Sequence, residues 1–195
     1  QWLNGLRIDI NFLGELKLEF PGLLIIVDGT QFLGTSDFNF ANSPIDVIGA
    51  SAYKWLLSGF GNGLLLVKGD SQYRFQIKSH GYGSGRNTSP RLHERTFVKR
   101  MEPGHLDTLN FGSLQFSLGY LKSLGMNNIE KHLEGLSSHA KEKFTEFGLL
   151  DDLIVNRKKH STIFSIKGNQ TVFDKLTQEN VLCSQRGDGI RLGFH

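Results

Sequence analysis

Apolar positions at Ile8, Ile10, Phe12, Leu13 and Leu16 recur at mostly helical spacing in RIDINFLGELKL, and Pro21-Gly22 punctuates that segment. The run LLIIV, residues 23–27, is continuously leucine and β-branched. It predicts a strand buried on both faces, as in the parallel sheet of an α/β protein. Asp28 follows at its carboxyl end, the place where open α/β sheets bind ligands. VIGAS (47–51) and GLLLV (63–67) predict two further strands, and the tight glycine turn before the second predicts an antiparallel return. Residues 71–100 are polar and predict loop, with a glycine-rich stretch GYGSG at 81–85. Helical spacing dominates from Gly112 to Leu124 and again from Ile129 to Phe147, with Gly125 as a cap between them. STIFSIKG (161–168) and GIRLGF (189–194) alternate like strands with one wet face, and TVFDKLTQEN (171–180) predicts a short helix between them. The pattern is that of an α/β protein, with a boundary near residues 110–130 where a long helix leads into a smaller α+β unit.

Composition narrows the function classes. At 195 residues and 38% hydrophobic content the chain can bury one sizeable core, or one large domain and part of another. A net charge of +3 and a pI near 9.0 are too mild to argue for nucleic acid. The densest basic segment, RNTSPRLHERTFVKR (86–100), also holds Glu94 and lacks regular aromatic interleaving, so it reads as a solvated or substrate-facing loop. The single cysteine, Cys183, rules out an internal disulfide framework and a CxxC zinc site. It reads as a buried structural thiol and predicts a reducing, cytoplasmic setting. No apolar run approaches the ~20 residues of a membrane span, and no signal peptide is recognisable. The chain starts without methionine inside an apolar pattern and ends within a predicted strand, so it reads as a piece of a longer protein.

The chemistry concentrates in SAYKWLLSGFGNG, residues 51–63. Lys54 sits there between Tyr53 and Trp55, among apolar and glycine positions where a charged amine is costly. An amine in such a place serves as a nucleophile or imine former. Asp28 at a strand end, Gln31 three residues on and Lys54 could converge at one crevice, the set that pyridoxal phosphate requires. Taken singly, each has a plainer reading, a snorkelling lysine or a turn-capping aspartate.

Together, VDGTQFLG … DVIGASAYKWLLSGFGNGLLLV closely resembles the cofactor segment of class V pyridoxal-phosphate enzymes of the aspartate aminotransferase fold type. That group includes class V aminotransferases, cysteine desulfurases, kynureninases and isopenicillin-N epimerase-like proteins. The family order of strand, D-G-x-Q-x-x-G, D-[VF], S-x-[HY]-K and glycine-rich turn is complete here. The resemblance continues through MEPGHLDTLNFGSLQFSLGYLKSLG and ends in RGDGIRLGFH, while residues 71–100 match little. It implies the C-terminal part of the large cofactor domain over residues 1–115, followed by a small α+β domain over 116–195. It further implies Lys54 as the Schiff-base lysine, Asp28 on the pyridine nitrogen, Gln31 on the ring oxygen, and Ser51 and Tyr53 on the phosphate. Arg191 would grip the substrate α-carboxylate as a bidentate fork. An amino-acid or keto-acid substrate and a homodimer with its site at the interface are implied in the same way, with no metal, nucleic acid or membrane.

The sequence also departs from the pattern. His105 stands where the family offers threonine to the phosphate of the partner subunit, and Tyr53 where many relatives have histidine. Cysteine desulfurases need a mobile cysteine between the arginine-glycine of this region and the carboxylate arginine. Here RGDGIR joins Arg186 to Arg191 with none. The expectation is therefore an aminotransferase, epimerase or lyase rather than a desulfurase. Two other readings stand beside it: a catalytically inactive scaffold of the same fold, and a nucleotide-binding α/β domain using GFGNG or GYGSG. Neither glycine stretch matches a phosphate-loop pattern.

Overall fold

A computed structural model describes residues 3–76, 78, 96–102 and 104–195. The glycine-rich stretch 81–85 and most of the basic segment, 86–95, lie outside the described residues. The chain divides into two compact units, one comprising Asn11–Thr30 and Asn39–Tyr120, the other the N-terminal residues through Ile10, Gln31–Phe38 and Leu121–His195. The described part contains no helix long and apolar enough to cross a membrane.

The first unit is built on a three-stranded mixed sheet of order β1-β2-β3, from β1 (Ile26–Asp28), β2 (Val47–Ser51) and β3 (Gly63–Val67). β1 runs parallel to β2 in the register Ile26↔Val47 and Asp28↔Gly49. β3 returns antiparallel, Val47↔Val67 through Ser51↔Gly63, as its short connection predicts. Val47, Ile48 and Ala50 are buried because β2 is the central strand. The prediction of a first strand buried on both faces is corrected: β1 is only three residues long, and Ile26 is 61% exposed. Its apolar run places Ile25 in the core just before the strand, but β1 is an edge strand with one neighbour among the described residues.

Around this sheet lie α1 (Ile10–Glu19), a short 3-10 helix (Gly69–Arg74), α2 (Phe97–Met101) and the first part of α3 (Thr108–Leu124). The 3-10 helix and α2 fall where the polar composition predicts only loop. Asp46 ties α1 and the 3-10 helix to the residue just ahead of β1. Its carboxylate accepts from the Ile25 amide at 2.8 Å and from Ser71 Oγ at 2.9 Å, and it pairs with Lys17 on α1.

The second unit holds α4 (Met126–Glu146), α5 (Asp152–Val155), β4 (Ile163–Lys167), α6 (Gln170–Gln178), β5 (Ser184–Arg186) and β6 (Gly189–Gly193). The strands form an antiparallel sheet of order β4-β6-β5. Gly125 caps α4 with φ +84°, a conformation that suits glycine. Leu133, Ser137 and Ala140 recur at helical spacing and form the buried stripe of α4. One face of the sheet, Phe164, Ile166, Ile190 and Leu192, packs with Ala140, Leu150 and Ile154. Phe164 is fully buried, with Phe144 at 5.5 Å and 71° and Phe194 at 6.0 Å and 73° in edge-on contact. Cys183 is half-buried just ahead of β5 and packs on the rim of this core, less enclosed than the buried thiol expected.

Beside Phe164, whose ring lies 4.2 Å from that of His160, Arg157 Nη1 donates to the Asn4 carbonyl at 2.8 Å and to His160 Nδ1 at 3.3 Å. His160 Nε2 is then the protonated nitrogen and donates to the Ile163 carbonyl at 3.0 Å. Burial first, and the Arg157 charge second, pull the His160 pKa down to about 4, so the ring is neutral at physiological pH.

Candidate active site

Parallel pairing sets the site. Because β1 and β2 run the same way, Asp28 and Ser51, the last residues of each, finish at one sheet edge. Thr30 joins them: its amide donates to Asp28 Oδ1 at 2.9 Å, and its hydroxyl accepts from the Ser51 amide at 3.0 Å. The Asp28 pKa lies below the usual carboxylate range, chiefly through the Thr30 amide and hydroxyl, with the charge of Lys54 adding to them against partial desolvation. The acid at this edge is thus held ionised, and Lys54 is near enough to act on it.

Residues 52–62 leave that edge and return to it as a clamped excursion. The Ala52 amide donates to the Asn62 carbonyl at 3.2 Å, and the Ser58 amide to the Ala52 carbonyl at 3.0 Å. Within it Trp55 and Leu56 turn into the core, while Lys54 is half-buried and Tyr53 exposed. Lys54 Nζ lies 5.8 Å from the centre of the Tyr53 ring, which stacks on Phe60 at 5.1 Å. Leu57 adopts φ 57°, a strained value for a bulky residue, and the surrounding bonds hold it. Those bonds come from α3: Ser113 Oγ accepts from the Gly59 amide at 3.0 Å and meets Ser58 Oγ at 3.0 Å. Asn62 Nδ2 donates to the Asn110 carbonyl at 2.6 Å and to Ser58 Oγ at 3.0 Å. Asp107 caps α3 by accepting from the Leu109 and Asn110 amides, each at 3.1 Å.

The first unit therefore brings together Asp28, Ser51, Tyr53 and Lys54, with His105 exposed on the segment leading into α3. Gln31 and Arg191 belong to the second unit. Gln31 is half-buried in the turn after Thr30. Arg191 occupies the middle of β6, where its Nε is buried without a hydrogen-bond partner among the described residues. Burial first, then the charge of Arg186, lowers its pKa from the ordinary arginine value. The sequence reading passed over Thr30, Asp46, Asn62, Asn110 and Ser113. Thr30 lies inside the quoted VDGTQ motif and Asp46 heads the DV pair, so their positions carried a signal even though their partners did not.

The donor set fits pyridoxal phosphate. It offers an ionised acid for a pyridinium N–H, a primary amine, and hydroxyl residues at a strand end. At Gly63, opposite Ser51, a Cβ would lie 2.8 Å from the Ala50 carbonyl, so the turn back into β3 admits only glycine without a shift. A family model described as aminotransferase class-V matches residues 3–193. The chain belongs to the class-V aminotransferase family. Pyridoxal phosphate is the cofactor of this family. Among solved structures, the chain resembles the apo cysteine desulfurase of Thermococcus onnurineus NA1, with a TM-score of 0.80 and 19% identity. That match covers 96% of this chain and 51% of the other. The alanine–glyoxylate aminotransferase of Nostoc sp. gives a TM-score of 0.71 at 18% identity, covering 97% and 52%. The fold is accordingly that of the pyridoxal-phosphate transferases. A curated relative, the molybdenum cofactor sulfurase of Oryza sativa subsp. japonica, is 21% identical over 178 residues, 86% of this chain and 21% of that protein. The chain thus spans about half the length of these structures and a fifth of the sulfurase.

Proposed function

We propose that this class-V chain serves a pyridoxal-phosphate enzyme that acts on an amino acid through Lys54, by transamination or by the related epimerase or lyase chemistry. The observation that carries the reading is the joint position of Asp28 and Lys54 at one parallel sheet edge, with Thr30 and Lys54 keeping the acid ionised. Bound cofactor supplies an electron sink for charge that develops at the substrate α-carbon. The residues do the rest. Asp28 retains a proton on the ring nitrogen, and Gln31 meets the ring oxygen. Ser51, Tyr53 and His105 hold the phosphate, His105 from the neighbouring subunit of a homodimer. Arg191 orients the α-carboxylate, and its unpartnered Nε is in keeping with that role. The Lys54 amine would take the α-proton of the substrate and return it at the position that defines the reaction.

Desulfurase activity is not part of this reading. The turn between Arg186 and Gly189 is only two residues long, Gly187-Asp188, and Cys183 stands ahead of β5, before Arg186 rather than between Arg186 and Arg191. The single cysteine also agrees with a cytoplasmic setting.

An absorbance spectrum from 300 to 500 nm, recorded before and after borohydride, tests the proposal. A band near ~420 nm that reduction removes, with the label mapped to Lys54, is expected. Lys54→Ala should lose it. An unchanged band in that variant refutes the lysine assignment, and no band after added pyridoxal phosphate supports the inactive scaffold instead.

A further inference from the structure

Arg191 stands on the central strand β6, on the face opposite the one that packs Ile190 and Leu192 into the core. The register lays that face out. Ser165 and Ser184 lie directly opposite Arg191 on the two flanking strands, and Lys167 and Arg186 lie directly opposite Gly189. Directly paired residues, and residues two apart on a strand, project from the same face. Arg186 is therefore a diagonal neighbour of Arg191, at about 7–8 Å in ideal sheet geometry, within reach of two long side chains. Between them Gly189 has no side chain. A Cβ there would lie 2.6 Å from Ser165 Oγ and 2.9 Å from the Ile166 carbonyl, so the Ser165 hydroxyl takes up the place a side chain would fill.

The charges on this face are one-sided. Lys167 has a loose partner in Asp151, 3.8 Å away with both side chains largely exposed. Among the described residues no carboxylate, that of Asp188 in the adjoining turn included, lies within 4.0 Å of either guanidinium. Arg191 Nε is buried and unpartnered, whereas Arg186 is exposed. Two guanidinium groups that share a face without a counter-charge repel each other, and the fold gains nothing from the pair. Two anionic groups on one ligand would satisfy both.

We propose that Arg186 forms a second anion subsite beside Arg191, so that the protein selects amino or keto acids whose side chain ends in a carboxylate. This rests on the reading of Arg191 as the α-carboxylate residue. With one carboxylate forked on Arg191, a second a few carbons away reaches Arg186 over Gly189, which carries no side chain, past the Ser165 hydroxyl. A monocarboxylate leaves Arg186 unused. Arg186 is thus a specificity residue, separate from the proton transfers assigned to Lys54.

Calorimetric titration of the intact protein with succinate and with propionate, with and without pyridoxal phosphate, tests this. Succinate should bind at least about tenfold more tightly than propionate. Arg186→Gln should remove that preference and leave propionate unchanged, and Arg186→Lys should restore part of it. Arg191→Gln should weaken both ligands. Equal binding of the two ligands, a uniform loss in Arg186→Gln, or binding of neither would overturn the subsite. The cofactor reading fails separately: a succinate preference that depends on Arg186, in a protein with no cofactor band, leaves the subsite standing and removes the enzyme.

Discussion

Asp46→Ala removes a side chain that the start of β1, the helix α1 and the 3-10 helix all share. The Asp46 side chain is 7% exposed, and it accepts from the Ile25 amide at 2.8 Å and Ser71 Oγ at 2.9 Å besides pairing with Lys17. Alanine leaves the Ile25 amide buried without its acceptor, a cost of about 1–3 kcal/mol. Breaking a buried ion pair from one side costs about 3–5 kcal/mol, and Lys17 at 29% exposure recovers part of that in water. A total of about 3 kcal/mol follows, or a melting temperature lower by about 6–12 °C for a chain of this size. Asp46→Asn keeps an acceptor for Ile25 and loses only the charge, so about 1–2 kcal/mol is expected. The pH dependence has a definite sign. Burial alone would raise the Asp46 pKa, but the Ile25 amide, Lys17 and Ser71 outweigh it and leave the pKa below the usual value. A depressed carboxylate stabilises fully above its unfolded pKa of about 4 and stops doing so as the pH falls through the folded value. The gap between the native protein and Asp46→Asn should therefore be constant from neutral pH to about 4 and close below it. Thermal scans by circular dichroism across that range read both effects. An Asp46→Ala protein that melts within a degree of the native one, or a gap that persists unchanged into acid, would refute the reasoning.

His160→Gln should flatten the acid limb of stability at a higher pH. A neutral histidine with its pKa pulled down to about 4 favours the folded state above the unfolded value near 6.5, and this contribution is lost as the pH falls between the two. Denaturant midpoints at pH 7 and pH 4.5 should therefore differ less in the variant; an equal difference in both proteins counts against the neutral ring. Gly63→Ala should cost about 1–3 kcal/mol and loosen the cofactor, because its Cβ meets the Ala50 carbonyl at 2.8 Å in the pair opposite Ser51. Equilibrium dialysis of pyridoxal phosphate against the variant measures the second effect, and unchanged retention with unchanged stability would show slack at the hairpin.

What was legible in the chain was local. β2, β3, β4, β6 and the helices α3, α4 and α6 announce themselves by apolar spacing that their own residues carry. Asp28 and Lys54 were readable because the motif around each is contiguous. β5 was not, since Ser184–Arg186 has no apolar pattern and becomes a strand only by pairing with β6. The exposure of Ile26 was hidden for a similar reason: LLIIV specifies a strand, but burial depends on neighbours that the run does not encode. Asp46 finds its partners 21 and 25 residues away, and Asn62 meets Asn110 at a separation of 48, distances over which no periodicity speaks.

The ladder Asp28↔Gly49 has a bearing on how such a protein can diverge. Acid and lysine belong to different strands, yet their relation is written in backbone pairing, not in the connection between the strands. Residues can be gained or lost between Gly34 and Ser43 while the two groups stay in step. One residue inserted within β2, between Gly49 and Ser51, would instead turn the strand residues that follow it to the opposite face of the sheet. Length variation is thus channelled into the connection between the strands and away from the few positions around Gly49 that keep the acid and the lysine in step.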